Sequence, residues 1–243
     1  QARTSGLIPW WADNRLEVEF WRPVAAISHW LDYQWWPDSP LIMHWHSAVW
    51  YALLLCSLLY LLTQLGLKGA VLGVAVVLYA LDASHLVAIG WLANRNIMLA
   101  GCFAFLSLAF YHRSTLQSDP KTLLGAAILL AASLLSAEGG LAIAGFMMSH
   151  ALFLDQRTWS RRVFWLGTMA VVVVGWRVIY GTLGFAARNS GAYFDPVADP
   201  ASFIDNALIQ IPILIMDQLT GIESLQLLMA PHTLVAQAVV GAV

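Results

Sequence analysis

The stretch Leu81–Gly101 reads LDASHLVAIGWLANRNIMLAG. It lies between two long apolar runs, yet it gathers Asp82, His85, Asn94, Arg95 and Asn96 into a few turns of chain. Polar and ionisable side chains packed against the mouths of apolar segments need a physical reason. That reason depends on what the apolar segments are.

Composition decides that point. The chain has 243 residues, 60% of them hydrophobic and only 11% charged, with a mean hydropathy of +0.70. A soluble domain is about 45–50% apolar and about 25% charged. One soluble core cannot absorb this excess, so the expected fold class is all-α, a polytopic transmembrane helical bundle. The net charge of −2 gives no bulk attraction for nucleic acid, and membrane lipids are the expected surroundings. Cys56 and Cys102 lie inside apolar runs with no disulfide or metal spacing. Trp10, Trp11, Trp21, Trp30, Trp35, Trp36 and Trp45 cluster near segment ends, as in the aromatic belt at a lipid–water boundary. The chain starts at Gln1 and stops inside the apolar VVGAV. An internal piece of a longer protein, with spans on both sides, is therefore expected.

A spanning helix needs roughly 20 apolar residues. Candidate spans are 41–65, 69–82, 96–112, 122–137, 139–155, 163–183 and 225–243, about seven in all. The run 203–219 is ambiguous, because it holds Pro212 and Asp217 and also suits an amphipathic surface helix. Two parts are expected: 1–38, an extracytoplasmic loop with an interfacial helix near 20–36, and 39–243, the bundle. Lys68, the group His112, Arg113 and Lys121, and the group Arg157, Arg161 and Arg162 fall on one side if the spans alternate. Basic short loops are normally cytoplasmic. The loops 113–121 and 156–162 are thus expected inside, and 83–95 and 184–202 outside. The location expected is the cell membrane, of a bacterial inner-membrane kind.

With that topology Asp82, His85, Asn94, Arg95 and Asn96 share the outer side with Glu138 and Arg177. Such residues could line one water-filled cavity. Ionisable residues at membrane depth are costly and are usually paired or functional. Glu138 reads either as a first-turn carboxylate favoured by the helix dipole or as a site residue. Arg95 reads either as the ion-pair partner of Glu138 or Asp82, or as a guanidinium gripping a phosphate. Asp82 is a helix cap or a site carboxylate; His85 is a packing residue or a ligand contact; Asn94 and Asn96 are turn residues or contacts. Arg177, inside an apolar helix, needs a carboxylate, an anion or a route outward. His44 and His46 have a metal-like spacing but no third ligand, so no metal site is read from spacing. No Gly-rich phosphate loop, nucleophile elbow or zinc signature is present.

Four ordered motifs resemble the GT-C superfamily of membrane glycosyltransferases, in particular the O-mannosyltransferase-like proteins associated with tetratricopeptide repeats. FWRPVAAISHWLDYQWW supplies Arg22 and Pro23 of an RPL-type motif, and LIMHWHSAVWY supplies His44. DASHLVAIGWLANRNI follows the family's HPVHTEAVAWxxGRxD with His85, Trp91 and Arg95 in register. LLSAEGGLAIAGFMMSHALFLD follows LLSKE with Glu138 and the terminal Asp155. The similarity covers roughly residues 15–155. It departs at Val87, Ile97 and Ala137, where the family has Glu, Asp and Lys. The family's acidic motif of the first extracytoplasmic loop would precede Gln1.

The resemblance implies transfer of a sugar from a polyprenyl-phosphate carrier to an extracytoplasmic acceptor. Glu138 and Asp82 are the implied catalytic carboxylates. Arg95, His85, Arg22, Arg177 and Asn94 are the implied substrate contacts. A divalent metal assists some members, although no ligand set is visible in this sequence. A second class stays open: a catalytically silent GT-C-like subunit or scaffold that binds other membrane subunits. The sugar, the acceptor and the partner are not written in the sequence.

Overall fold

The computed structural model describes residues 17–82, 84–188, 196 and 199–220. The expected span 225–243, and most of the expected loop 184–202 and of the amino-terminal segment, lie outside these. The chain divides into two compact units, 21–184 and the remainder. In the smaller unit, β1 (Glu17–Glu19) pairs antiparallel with β2 (Ala186–Arg188), Val18 opposite Ala187. It also holds helix α9 (Pro200–Thr220), interrupted by Pro212. Asp199 starts that helix by accepting from the Ser202 amide at 3.1 Å.

The larger unit is wholly helical. Its elements are α1 (Pro23–Trp35), α2 (Pro40–Gln64), α3 (Gly69–Ala80), α4 (Ser84–Gly90), α5 (Arg95–Gln117), α6 (Pro120–Leu134), α7 (Ala142–Phe153) and α8 (Trp159–Thr182). Tight 3₁₀ turns, Leu92–Asn94 and Glu138–Leu141, lead into α5 and α7. Proline opens α1, α2 and α6, where its missing N–H costs nothing. α2 stops at Gly66, whose φ of +93° suits a residue without Cβ. There Leu67 N–H bonds the Leu62 carbonyl and Gly66 N–H the Thr63 carbonyl, a Schellman stop. Asp119 caps α6 through the amides of Lys121 and Thr122, at 3.1 and 3.0 Å. The Thr122 hydroxyl and those amides hold its carboxyl below the usual carboxylate range.

Among the described residues, three helices are long and apolar enough to cross a membrane: Pro40–Gln64, Leu92–Gln117 and Trp159–Thr182. They differ in how much of themselves they bury, 56% for the second against 17% for the third. α5 is therefore the axis of the bundle. α2 and α6 flank it through small residues. Gly101 faces Leu54, Gly125 faces Phe110, and a Cβ at either glycine would press on that side chain. Ser107 donates to the Ala126 carbonyl at 2.7 Å and Ser133 to the Ala100 carbonyl at 2.8 Å. Such hydrogen bonds hold helices together where the surroundings supply no hydrophobic drive. Tyr111, Leu130, Leu134 and Met147 fill the space between α5, α6 and α7, all fully buried. α3 buries no residue, and α8 turns Val171, Val174 and Val178 outward.

The apolar runs read from the sequence coincide with α2, α3, α5, α6, α7 and α8. The division after residue 38 does not follow the compact units. α1 is packed into the bundle, with Val24 N–H on the Leu135 carbonyl at 3.1 Å and Ala25, Ser28 and Asp32 buried. Its other face leaves Ile27, Trp30 and Tyr33 exposed. The physical reason for the inclusion lies in the side chain that α1 must serve.

Candidate functional site

That side chain is Arg95, which is fully buried at the start of α5. Its Nη1 lies 2.5 Å from Asp32 Oδ2 and donates to Ser28 Oγ at 3.2 Å. Nε donates to Ser47 Oγ at 2.9 Å and Nη2 to the Met43 carbonyl at 2.8 Å. Four of the five guanidinium N–H groups are thus spent on α1 and α2. His46 extends the network. Trp50 Nε1 donates to His46 Nε2 at 3.0 Å, so in the neutral ring the proton sits on Nδ1. Nδ1 then donates to Asp32 Oδ1 at 2.5 Å. The result is a linked chain, Trp50–His46–Asp32–Arg95, that engages four of the five guanidinium N–H groups within the protein. A buried charge is tolerated when it is paired and hydrogen-bonded this completely. Of the two sequence readings of Arg95, this geometry supports the ion pair, and its partner is Asp32 rather than Glu138 or Asp82.

A second cluster begins one residue along. Arg22 donates to Glu138 Oε2 from Nε at 2.9 Å and from Nη2 at 2.6 Å. Both side chains are 29% exposed. The Asn96 amide completes the cluster when its oxygen faces Arg22: Oδ1 accepts from Nη1 at 3.0 Å, and the amide N donates to the Ala93 and Asn94 carbonyls. From α8, Tyr180 and Arg177 lie in the electrostatic neighbourhood of Arg22 and Glu138. Glu138 Oε1 is buried and makes no hydrogen bond with the described residues. Glu138 also shares a side-chain hydrogen bond with the Tyr180 hydroxyl.

An apolar cleft of about 270 Å³ lies between α6 and α8. Trp21, Ala131, Leu135, Val172, Trp176 and Ile179 are among its walls. Trp21 adjoins Arg22, Trp176 adjoins Arg177, and Ile179 adjoins Tyr180. The apolar walls and the charged group are thus consecutive residues on the same elements. The Trp176 indole N–H is buried without a hydrogen-bond partner among the described residues. An apolar cleft whose wall residues Trp21, Trp176 and Ile179 are followed in the chain by Arg22, Arg177 and Tyr180 suits an amphiphile better than a wholly polar ligand.

The remaining sequence-derived residues lie elsewhere. Asp82 follows α3, and its carbonyl accepts from the His85 amide at 3.2 Å. The His85 ring packs on Tyr79 and Tyr51, with centroids 4.5 and 5.7 Å apart. Asn94 sits in the turn before α5 and donates its amide to the Trp91 carbonyl at 2.8 Å. The structure thus brings Arg22, Glu138 and Arg177 into one group. It puts Asp82 and His85 into an aromatic group on α3 and α4, and Arg95 into its own enclosure.

Asp32, His46, Asn96, Tyr180 and Trp176 were not singled out as a set by sequence reasoning. The available signal was the polar pair Ser28 and Asp32 at i, i+4 on a helix otherwise rich in aromatics, matched by Met43/Ser47 and His46/Trp50 at the same spacing. Among the described residues, no three His, Cys, Asp or Glu side chains converge in a way that could hold a metal ion. The divalent metal implied by the resemblance does not fit these residues, and no chemistry is routed through one. No protein-family model, no curated protein and no solved structure matches this chain.

Proposed function

We propose that this chain belongs to a GT-C-like membrane protein with about seven spans, its Glu138 end facing the extracytoplasmic side of a cell membrane. Its ligand is a polyprenyl-phosphate sugar. The isoprenoid lies in the cleft beside Trp21 and Trp176, and the phosphate meets Arg22 and Arg177. The observation that carries this reading is the continuity of cleft and charge: each guanidinium directly follows a tryptophan of the cleft wall. Phosphate recognition by Arg is charge-assisted and directional.

In the transfer, Glu138 Oε1 takes the proton of the acceptor hydroxyl. The acceptor oxygen bonds to the sugar's anomeric carbon as the bond from that carbon to the phosphate oxygen breaks. The phosphate leaves with the electron pair, and the two arginines offset its growing charge.

A second reading is a silent subunit that holds the same lipid without chemistry. It is favoured by Val87, Ile97 and Ala137, which place no polar group beside the site, and by Glu138 being neutralised through Oε2. The two separate in one assay, sugar release and donor binding by the purified full-length protein in nanodiscs. A transferase turns over, and Glu138→Gln and Arg22→Ala each lower its rate on the order of 30- to 1000-fold. Donor binding with no turnover selects the silent subunit. No donor binding by a folded wild type overturns both.

A further inference from the structure

The opposite ends of α5 and α7 carry a different group, one that none of this chemistry uses. α7 begins just after Glu138 and ends just before Asp155. Asp155 is buried and held by Arg157: Nη2 donates to Oδ2 at 2.7 Å, Nε to Oδ1 and Oδ2 at 3.0 and 3.2 Å, and the Arg157 amide to Oδ1 at 2.9 Å. The guanidinium lies 4.4 Å over the Trp165 ring. The Trp165 indole donates to Ser114 Oγ at 3.0 Å, one turn along α5 from Tyr111. The Tyr111 ring meets the His150 ring edge-on at 5.5 Å, and both feel the charges of Asp155 and Arg157.

Three polar atoms of this group are buried with no hydrogen-bond partner among the described residues: Tyr111 Oη, His150 Nδ1 and Arg157 Nη1. Tyr111 is fully buried and His150 is 5% exposed. An orphaned buried polar atom is costly, and three in one locality, from α5, α7 and the segment after α7, form a site. Their roles can be assigned. His112 Nδ1 and His150 Nε2 are 2.7 Å apart, and the Gln64 backbone acts on the His112 ring. A neutral imidazole carries one N–H. With the His112 N–H turned to Gln64, His112 Nδ1 accepts and His150 Nε2 donates. That leaves His150 Nδ1 as a lone pair. Arg157 Nη1 is a donor only, and Tyr111 Oη can act either way.

We infer that Tyr111 Oη, His150 Nδ1 and Arg157 Nη1 together bind one ordered internal water molecule. The ligand must donate to the imidazole and accept from the guanidinium. An anion cannot donate, and the Arg157 charge is already balanced by Asp155. A cation cannot accept. Water does both, and a buried water typically makes about three hydrogen bonds of this kind. It adds a shared contact among α5, α7 and the segment leading to α8, beside the direct His112–His150 and Trp165–Ser114 bonds. This inference does not depend on the reading of the Arg22–Glu138 end.

The test has two arms. A crystal structure of the full-length protein at about 2 Å should show a solvent peak within about 3.2 Å of all three atoms. A site in which the three atoms bond one another directly, or a bromide soak that gives an anomalous peak there, overturns the assignment. The second arm is the sign of Tyr111→Phe in reversible unfolding. If the hydroxyl binds water, its loss lowers the folded-to-unfolded ratio roughly two- to tenfold. If the hydroxyl is a true orphan, its removal raises that ratio, and the inference fails.

Discussion

Arg95 and Arg22 answer to the same end of the bundle, and α5 serves both through adjacent residues. Arg95 itself points into α1 and α2, while Asn96 reaches Arg22. The two guanidinium groups have opposite fates. Arg95 is enclosed, with Asp32 as a dedicated carboxylate and further acceptors for Nε and Nη2. Arg22 is partly exposed, and its carboxylate partner is shared with the Tyr180 hydroxyl. Burial with dense hydrogen bonding marks Arg95 as a structural charge. The partial exposure of Arg22 is what the proposed ligand reading rests on. Residue type alone does not distinguish them.

The largest effect separating the two belongs to Arg95. Arg95→Met leaves the Asp32 carboxylate buried without its cation and should cost about 3–5 kcal/mol in denaturant unfolding. Arg95→Met combined with Asp32→Leu should recover much of that loss, because an apolar pair carries no uncompensated charge. If the single variant unfolds like wild type, the enclosure is not structural.

Gly140→Ala comes next. A Cβ there would collide with the Ser133 hydroxyl and crowd the Ser133 backbone at 3.0 Å, pushing on the turn that aims Glu138. A loss of about 1–3 kcal/mol is expected. The donor affinity should fall more than it does in an α6 variant of similar stability loss, such as Leu123→Ala at a buried position.

Arg22→Ala should change stability by no more than about 1 kcal/mol, as for other half-exposed pairs. It should nevertheless weaken polyprenyl-phosphate binding about tenfold or more, read by competition in nanodiscs. A large stability loss with unchanged lipid binding would reverse the roles assigned to the two arginines.

The smallest effect is in pH. Burial, and then the Arg95 charge, pushes the His29 imidazole of α1 below its ordinary 6.5. Below pH 6.5 the unfolded chain takes up a proton that the folded chain still refuses. Stability is therefore full above that pH and declines as pH falls toward the lowered folded value. His29→Gln should flatten this slope in a thermal melt series, while Arg22→Ala should leave it intact.

The apolar runs were legible because a spanning helix needs only length and hydropathy, and six of the runs coincide with helices. Arg22, Glu138 and Arg177 were each legible as charges at apolar segment ends. Their convergence was not, because Arg22 and Glu138 are 116 residues apart in the chain. Asp32 escaped notice for a related reason. It lies among Trp30, Tyr33 and Trp35 on what reads as a surface helix, and only the packing of α1 reveals that its polar stripe faces Arg95. Spacing fixes which residues share a helix face, whereas the partner of that face is a property of tertiary packing.

The helices on either side of the Glu138 turn are also short. α6 has 15 residues and α7 has 12, or about 22 and 18 Å of helix, against a hydrocarbon layer of about 30 Å. Both turn apolar side chains outward, Leu124 and Ile128 on one and Phe146 and Phe153 on the other. If both cross the membrane, as in the proposed seven-span bundle, a bilayer meeting this side must thin to match them, at a cost of a fraction of a kcal/mol per Å of mismatch. On that reading headgroups sink toward Arg22 and Glu138 on this flank, and the protein partitions into the thinner regions of its membrane.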